Sequence, residues 1–541
     1  MNLLKQDSLN EQQLEAVHSD NRTILCLAGA GCGKTKTLLS RIRRLIKEGV
    51  DPKSILCLTF TNAAAFEMKE RYKRLPDLDV SKGVPEFRTF HGFCYSLIVK
   101  DSNIRARMGY TKIPEICEDA EMKQIKETVR LQLGAKLTLA QLENNVPLTR
   151  AQQDEKALFK KALIKEIKKQ NLITFDIMCY NVCEMFERDE ECVQKYKHMY
   201  NYIFIDEFQD TDSKQVRFAN SFPETTHFWF CADALQNIYA FRGTSNQYVK
   251  QLSNAPGWQV VKLYKNYRST TNICNFANKF SKSYARDEYR IEMEGQRDGD
   301  DVEVVYGSCA NYHNPVDPDH ISILLDKIRE NKNETAVLCR TNKECAAVRS
   351  ALTESGIQFS SRSKSTDAID VLESALSNDY MLEWLVSKLE AKDYSDYVRL
   401  ASQEKDINIR WFLDKYRNNA EVRRNAEKVI EIRNITQTPA EPEIKFEQIA
   451  KIVRAKTKCK FTGDKNTTNK EIVEMIRDQI QDMQECQVYV GTIHSVKGLE
   501  YDTVYVMGVN DNMFRLETEE DKNLYYVACT RAKNHLTVFR R

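Results

Sequence analysis

Lys34 and Thr35 close a glycine-rich turn, AGAGCGKT, over Ala28–Thr35. A lysine and a hydroxyl at the end of such a turn suit a polyphosphate. The glycines let backbone N–H groups converge on phosphate oxygens, the ammonium neutralises the β/γ charge, and the hydroxyl can ligate Mg²⁺. Ala28, Gly29, Ala30, Gly31, Cys32 and Gly33 are therefore expected to wrap the phosphates, with Lys34, Thr35 and Lys36 following. A second pattern, YIFIDEFQD, ends an apolar run in Asp206 and Glu207. Asp206 can hold Mg²⁺, and Glu207 can accept a proton from an attacking water. The two patterns together indicate a P-loop NTPase and leave open what it does with the nucleotide.

Both patterns need strands to aim them. TILCLAG leads into the glycine turn and YIFIDE into the carboxylates; SILCLTF, HFWFCAD, TAVLCRT, QVYVGTI and DTVYVMG are similar short runs. Alternation of such runs with helical patterns predicts parallel sheets in α/β layers. The runs form two clusters, one before about Leu263 and one after it that resumes near the C-terminus. Two charged tracts without strands, Lys100–Asn171 and Asp367–Gln484, interrupt them and are expected to be helical insertions. In the second tract, Trp384, Leu385, Leu389, Trp411 and Phe412 are the expected core.

With 541 residues the chain is too long for one ordinary core. The net charge is only +2, so a nucleic-acid surface must be local. None of the 16 cysteines forms a C-x-x-C pair; Cys179 and Cys183, four apart in an apolar stretch, are expected to be buried thiols. Scattered free thiols suit a reducing cytoplasm. No long apolar run opens the sequence, so neither a signal peptide nor a membrane anchor is expected.

Further patterns decide the class. LNEQQLEAV precedes the glycine turn; LTFTNAAAFEMKER and TFHGFC follow it. CADALQNIYAFRG, NYRS, LCRTN, VGTIHSVKGLEYDTVYV and NLYYVACTRAK follow the carboxylates. In order and spacing, from Leu9 to Lys533, these resemble the UvrD/Rep/PcrA family of superfamily 1 DNA helicases. The resemblance implies an α/β fold of two RecA-like motor domains with ATP between them, each carrying an inserted, mainly helical accessory domain. The expected boundaries are 1–98 with 172–263 for the first motor and 99–171 for its insertion. For the second motor they are 264–366 with 485–541, and 367–484 for its insertion.

Roles carry over by motif. Gln13 matches the residue that reads the adenine edge, and Tyr267 the aromatic stacked on the base. Gln236 matches the γ-phosphate sensor. Arg268 and Arg531 match two arginines that the second motor supplies to the γ-phosphate, where a planar cationic fork suits phosphoryl transfer. Glu500, in the HSVKGLE coupling loop, is expected beside the nucleotide. Phe60, Asn62, His91, Tyr239, Phe241, Arg242, Arg340 and His494 fall at positions near single-stranded DNA, where aromatic rings stack on any base.

The sequence also departs from the family. Lys36 stands where arginine is usual, Ala63 where lysine is usual, and CADALQ replaces a GDxDQ pattern. A long segment that carries a duplex-parting wedge is reduced to NDNMFRLETEEDK, in which Phe514 is the candidate for a residual wedge. Two basic stretches, one with Lys161, Lys165, Lys168 and Lys169 and one with Arg454, Lys456, Lys458 and Lys460, are either solvated faces or duplex contacts. The resemblance thus implies an ATP- and Mg²⁺-dependent single-stranded DNA translocase and helicase, 3′-to-5′, acting on single strands and single-strand/duplex junctions. The alternative is a DNA-sensing ATPase subunit, with weak unwinding, that regulates a separately encoded nuclease in an anti-phage complex such as Gabija.

Overall fold

Runs such as TILCLA are apolar at every position because parallel strands are covered on both faces. In the computed structural model all six residues of Thr23–Ala28 are buried. The structure describes residues 9–75, 77–117, 119–143, 147–239, 246–307, 315–331, 333–360, 367–387, 389, 397, 408–416, 419–453, 460–465, 467–482, 488–510 and 514–541.

The first sheet is parallel throughout. Its order is Glu86–Thr89, Ile55–Thr59, Tyr202–Ile205, His227–Ala232, Thr23–Ala28, Gln259–Leu263. Three neighbouring strands therefore end at one edge: Tyr202–Ile205 ahead of Asp206, His227–Ala232 ahead of Asp233, and Thr23–Ala28 ahead of the glycine turn. Adjacent strands lie about 4.8 Å apart, so residues remote in sequence meet at that edge, where open α/β sheets bind ligands.

The second sheet is also parallel, ordered Glu303–Tyr306, Ala532–Arg540, Tyr501–Val509, Thr335–Cys339, Val488–Thr492, Phe359–Ser360. The loop after Val488–Thr492 carries His494 and Lys497, and Arg531 immediately precedes Ala532–Arg540.

Both strand-poor tracts are helical among the described residues. The first contains helices Asp119–Gln132 and Arg150–Lys169, packed on each other around Ile125, Val129 and Phe159. The second has its own core, in which Trp384, Leu385, Leu389 and Phe412 are buried and Trp411 packs against them. Phe66, on the first motor's helix Asn62–Lys73, also packs against that core. No described helix is long and apolar enough to cross a membrane.

Candidate nucleotide cleft and nucleic-acid track

The glycine turn is shaped for an anion. Gly33 caps the helix Lys34–Lys47 in the left-handed region, at φ 83°, and supplies no side-chain cap bond. The first N–H groups of that helix remain available, as phosphate recognition requires. At Gly31, φ is 72°, and a Cβ there would fall 2.6 Å from the Arg268 Cβ. Arg268 lies on the second motor, so glycine also permits the two motors to close on the turn.

Lys34 leads away from the turn into a ring of carboxylates. Burial alone would lower its pKa, but Glu207, Asp233 and Asp206 raise it. Glu207 has a left-handed backbone, φ 53°, a conformation that costs a non-glycine residue about 1–3 kcal/mol. Its carboxylate accepts from Gln209 Nε2. Burial would raise its pKa, but Lys34 and Lys497 hold it below the usual range, so it is charged at neutral pH. Asp206 shifts upward because it is buried beside the Glu207 charge. Its Oδ1 is buried with no protein partner. A buried carboxylate oxygen left in this state fits a hard cation such as Mg²⁺.

The second motor closes the site with cations. Arg531, 1% exposed, donates from Nη2 to Gln236 Oε1 at 3.0 Å across the cleft. Nε and Nη1 are held by the carbonyls of Val527 and Leu499. Burial and the nearby Arg268 charge lower the Arg531 pKa to about 9. Gln236 in turn donates to Asp233 Oδ2 at 2.7 Å. Arg268 pairs with Glu500 at 2.6 Å and donates to the Thr530 carbonyl at 3.2 Å. Glu500 also lies 3.6 Å from Lys533.

At the far end of the turn, Gln13 is buried in a capping box with Asn10 and donates to the Cys32 carbonyl at 3.4 Å. Tyr267 is 48% exposed, a ring face open to solvent, and its hydroxyl accepts from Asn10 Nδ2 at 2.9 Å. Lys36 is exposed on the helix beyond.

Two of the expected track residues, Phe60 and His91, line a cavity of about 280 Å³ together with Thr59, Asp206, Glu207 and Asp210. Phe60 stacks on Tyr239 with centroids 5.0 Å apart and planes 17° apart, and the His494 ring is 6.3 Å beyond Tyr239. His91 is exposed and meets Phe175 edge-on at 5.3 Å. Asn62 accepts from the Thr89 hydroxyl at 3.4 Å. Arg340 is set apart in an ion pair with Asp521 at 3.1 Å. Phe241 and Arg242 lie outside the described residues.

Two residues in this assembly were not assigned roles from the sequence. Lys497, in the coupling loop, reaches Asp210 Oδ2 at 2.5 Å and the Gln236 carbonyl at 2.7 Å, with its ammonium 4.9 Å from the Tyr239 ring centroid. Burial lifts the Asp210 pKa to about 6, against the pull of Lys497. Asn266 is fully buried; it donates to the Ala30 carbonyl at 2.7 Å and accepts from the N–H groups of Arg268 and Ser269. Both stand inside quoted motifs, but nothing in one sequence distinguishes a cleft-spanning lysine from a solvated one.

The UvrD/REP helicase N-terminal domain family matches residues 9–256, and the UvrD-like helicase C-terminal domain family matches 261–367 and 364–540. The chain belongs to the UvrD-like DNA helicases. It is 25% identical over 623 aligned positions to the ATP-dependent DNA helicase PcrA of Staphylococcus epidermidis, covering 98% of this chain and 83% of the relative. A probable DNA helicase II homolog of Mycoplasma capricolum is 26% identical, with 98% and 84% covered. PcrA of Staphylococcus aureus is 23% identical, with 98% and 83% covered. The protein is an ATP-hydrolysing DNA helicase of this family, with two RecA-like motors. The alignment with the first relative is longer than the 541-residue chain, so that relative carries segments absent here.

One expectation is corrected. Phe514 is not a wedge: it is fully buried in the second motor's core and packs edge-on against Tyr525 at 6.3 Å. The shortened segment folds this ring inward because it is the large apolar side chain available to cover Tyr525 and Leu524. Phe514→Ala is expected to cost about 3–5 kcal/mol of stability, as a buried ring deletion does. Unwinding and ATPase should fall together, in step with the loss of folded protein in a thermal melt. Of the basic stretches, Lys161, Lys165 and Lys169 are exposed, whereas Lys168 leans toward the Tyr110 ring at 6.0 Å. Arg454, Lys456 and Lys458 lie outside the described residues.

Proposed function

We propose that the chain is a 3′-to-5′ translocase on single-stranded DNA whose ATPase cycle is transmitted to the track through Lys497, with duplex unwinding weaker than translocation. Lys497 carries this reading, because one ammonium binds an acidic residue of the nucleotide edge, the backbone of Gln236 and the face of a track aromatic.

The chemistry follows from the charges. ATP would lie on the turn Gly29–Gly33, its adenine edge met by Gln13 and its base by the open Tyr267 ring. Mg²⁺ held by Thr35 and Asp206 would neutralise charge on the β and γ oxygens. Glu207, ionised at neutral pH, accepts the proton of the attacking water. Gln236 is positioned to sense the γ-phosphate. Arg268 and Arg531 belong to the other motor, so hydrolysis depends on cleft closure. Burial and the nearby Arg268 charge hold the Arg531 pKa down, so a γ-phosphate beside these two arginines would relieve like-charge repulsion.

Phe60, Tyr239 and His494 form a staggered ring series able to receive successive bases, with His91 and Asn62 flanking it. The direction rests on resemblance to the family. With Phe514 in the core, no wedge is identified among the described residues, which supports translocation over processive unwinding. The decisive experiment is streptavidin displacement from biotinylated oligonucleotides, run beside strand displacement on tailed duplexes. A 3′-to-5′ motor clears streptavidin from the 5′ end and opens short 3′-tailed duplexes. Clearance from the 3′ end alone would reverse the direction, and DNA-stimulated ATPase with no clearance from either end would refute translocation.

A further inference from the structure

Arg297 belongs to none of the sequence patterns that define the cleft. It follows the short strand Glu294–Gly295, which pairs with Lys265–Asn266 just ahead of Arg268. Its guanidinium donates from Nη1 to Asn534 Oδ1 at 3.1 Å, and from Nη2 to the carbonyl of Arg268 and, at 3.4 Å, that of Lys533. Its own carbonyl accepts from the N–H of Thr271 at 2.8 Å and from the Thr271 hydroxyl at 3.0 Å. One exposed side chain thus ties the segment that presents Arg268 to the segment that presents Arg531.

The same two segments are joined directly. Arg268 Nη1 reaches the Thr530 carbonyl, Ser269 Oγ donates to the Ala532 carbonyl at 2.6 Å, and the Thr270 N–H donates to the Lys533 carbonyl at 3.1 Å. All but Arg297 act from within the two segments; Arg297 clamps them from outside. A clamp has work to do here because it holds two guanidiniums of like charge near one another. Arginine suits the position: its planar fork supplies several donors in fixed directions, which lysine cannot reproduce.

We propose that Arg297 is a positioning residue for ATP hydrolysis, fixing the separation and aim of Arg268 and Arg531 without touching the nucleotide. The inference rests on the reading of those two arginines as the γ-phosphate cations. Misplacing a catalytic group by about 1 Å can cost on the order of 100-fold, so a partial loosening is expected to cost roughly tenfold.

The test compares Arg297→Ala, Arg297→Lys, Arg268→Ala and Arg531→Ala in the full chain with saturating single-stranded DNA. The measurements are kcat, KM for ATP, Tm, and the affinity for Mg-ADP with and without aluminium fluoride, which mimics the transferring phosphoryl group. Arg297→Ala should lower kcat roughly tenfold with KM for ATP nearly unchanged. It should lose a similar factor of the tightening that fluoride gives, and Arg297→Lys should recover part of both. Wild-type kcat in Arg297→Ala, with Arg268→Ala and Arg531→Ala both crippled, overturns the proposal. So does a lower kcat with the fluoride effect intact, because the loss would then be structural. Normal turnover in Arg268→Ala and Arg531→Ala would instead overturn the reading on which it rests. Should Arg297→Ala not fold, Arg297→Lys carries the same comparison, since its fork is lost and its charge kept.

Discussion

The proposed nucleotide cleft and the proposed DNA track both contribute residues to one small cavity and are built on different physics. In the cleft, charges are buried and fixed. Asp206, Asp233 and Arg531 are each under 10% exposed, and Gln236 links Asp233 to Arg531 across the motors. On the proposed track, Phe60, Tyr239 and His494 are partly exposed rings; Phe60 stacks on Tyr239, and His494 meets Tyr239 at a tilt. Low dielectric magnifies each charge in the cleft, whereas stacking is additive and tolerant of which base arrives. On the proposed reading, geometry would be preset where bonds break and left exchangeable where the strand must slide.

Glu207→Gln should separate the two regions most strongly. It removes the proton acceptor while keeping the shape of the side chain. Turnover with single-stranded DNA should fall by about 100-fold or more, with ATP and DNA binding nearly intact. Undiminished turnover would show that the proton leaves by another group.

Tyr239→Ala should have a smaller effect, confined to the other side. Loss of one stacking ring costs about 1–3 kcal/mol of single-strand affinity, measurable by fluorescence anisotropy. The affinity for ATP in the absence of DNA should stay within about twofold, since on the proposed reading the ring sits beside the strand and not on the nucleotide. A large fall in ATP affinity would mean that the ring supports the cleft rather than the strand.

The smallest expected effect is on the link between them. Burial raises the Asp210 pKa to about 6. A carboxyl raised in the folded state favours folding fully below its unfolded value, near pH 4, and that contribution is lost as the pH rises through about 6. The ion pair with Lys497 has the opposite dependence, because only ionised Asp210 anchors the ammonium. Lowering the pH from about 7.5 to about 5.5 should therefore reduce DNA stimulation of the ATPase several-fold, since the carboxylate is then mostly protonated. Basal hydrolysis should decline less, with no loss of stability from this group. An acid limb unchanged in Asp210→Asn would assign it to another titration.

By itself, the sequence determined the class of the protein and the components of its ATP site. Lys34, Asp206 and Glu207 were legible because phosphate chemistry demands particular residue types at strand ends after apolar runs, whereas Arg531 was legible only through the family motif it resembles. The two helical insertions were legible from missing strand periodicity. Tertiary structure alone decided which residues join the two motors. Lys497 looks like any loop lysine until the second sheet sets it against Asp210, and Asn266 and Arg297 gain meaning only from carbonyls contributed by remote segments. Phe514 shows the converse: a lone aromatic in a polar stretch suggests an exposed tool, yet the cavity beside Tyr525 claims it, because burying a ring is worth more than presenting one to water.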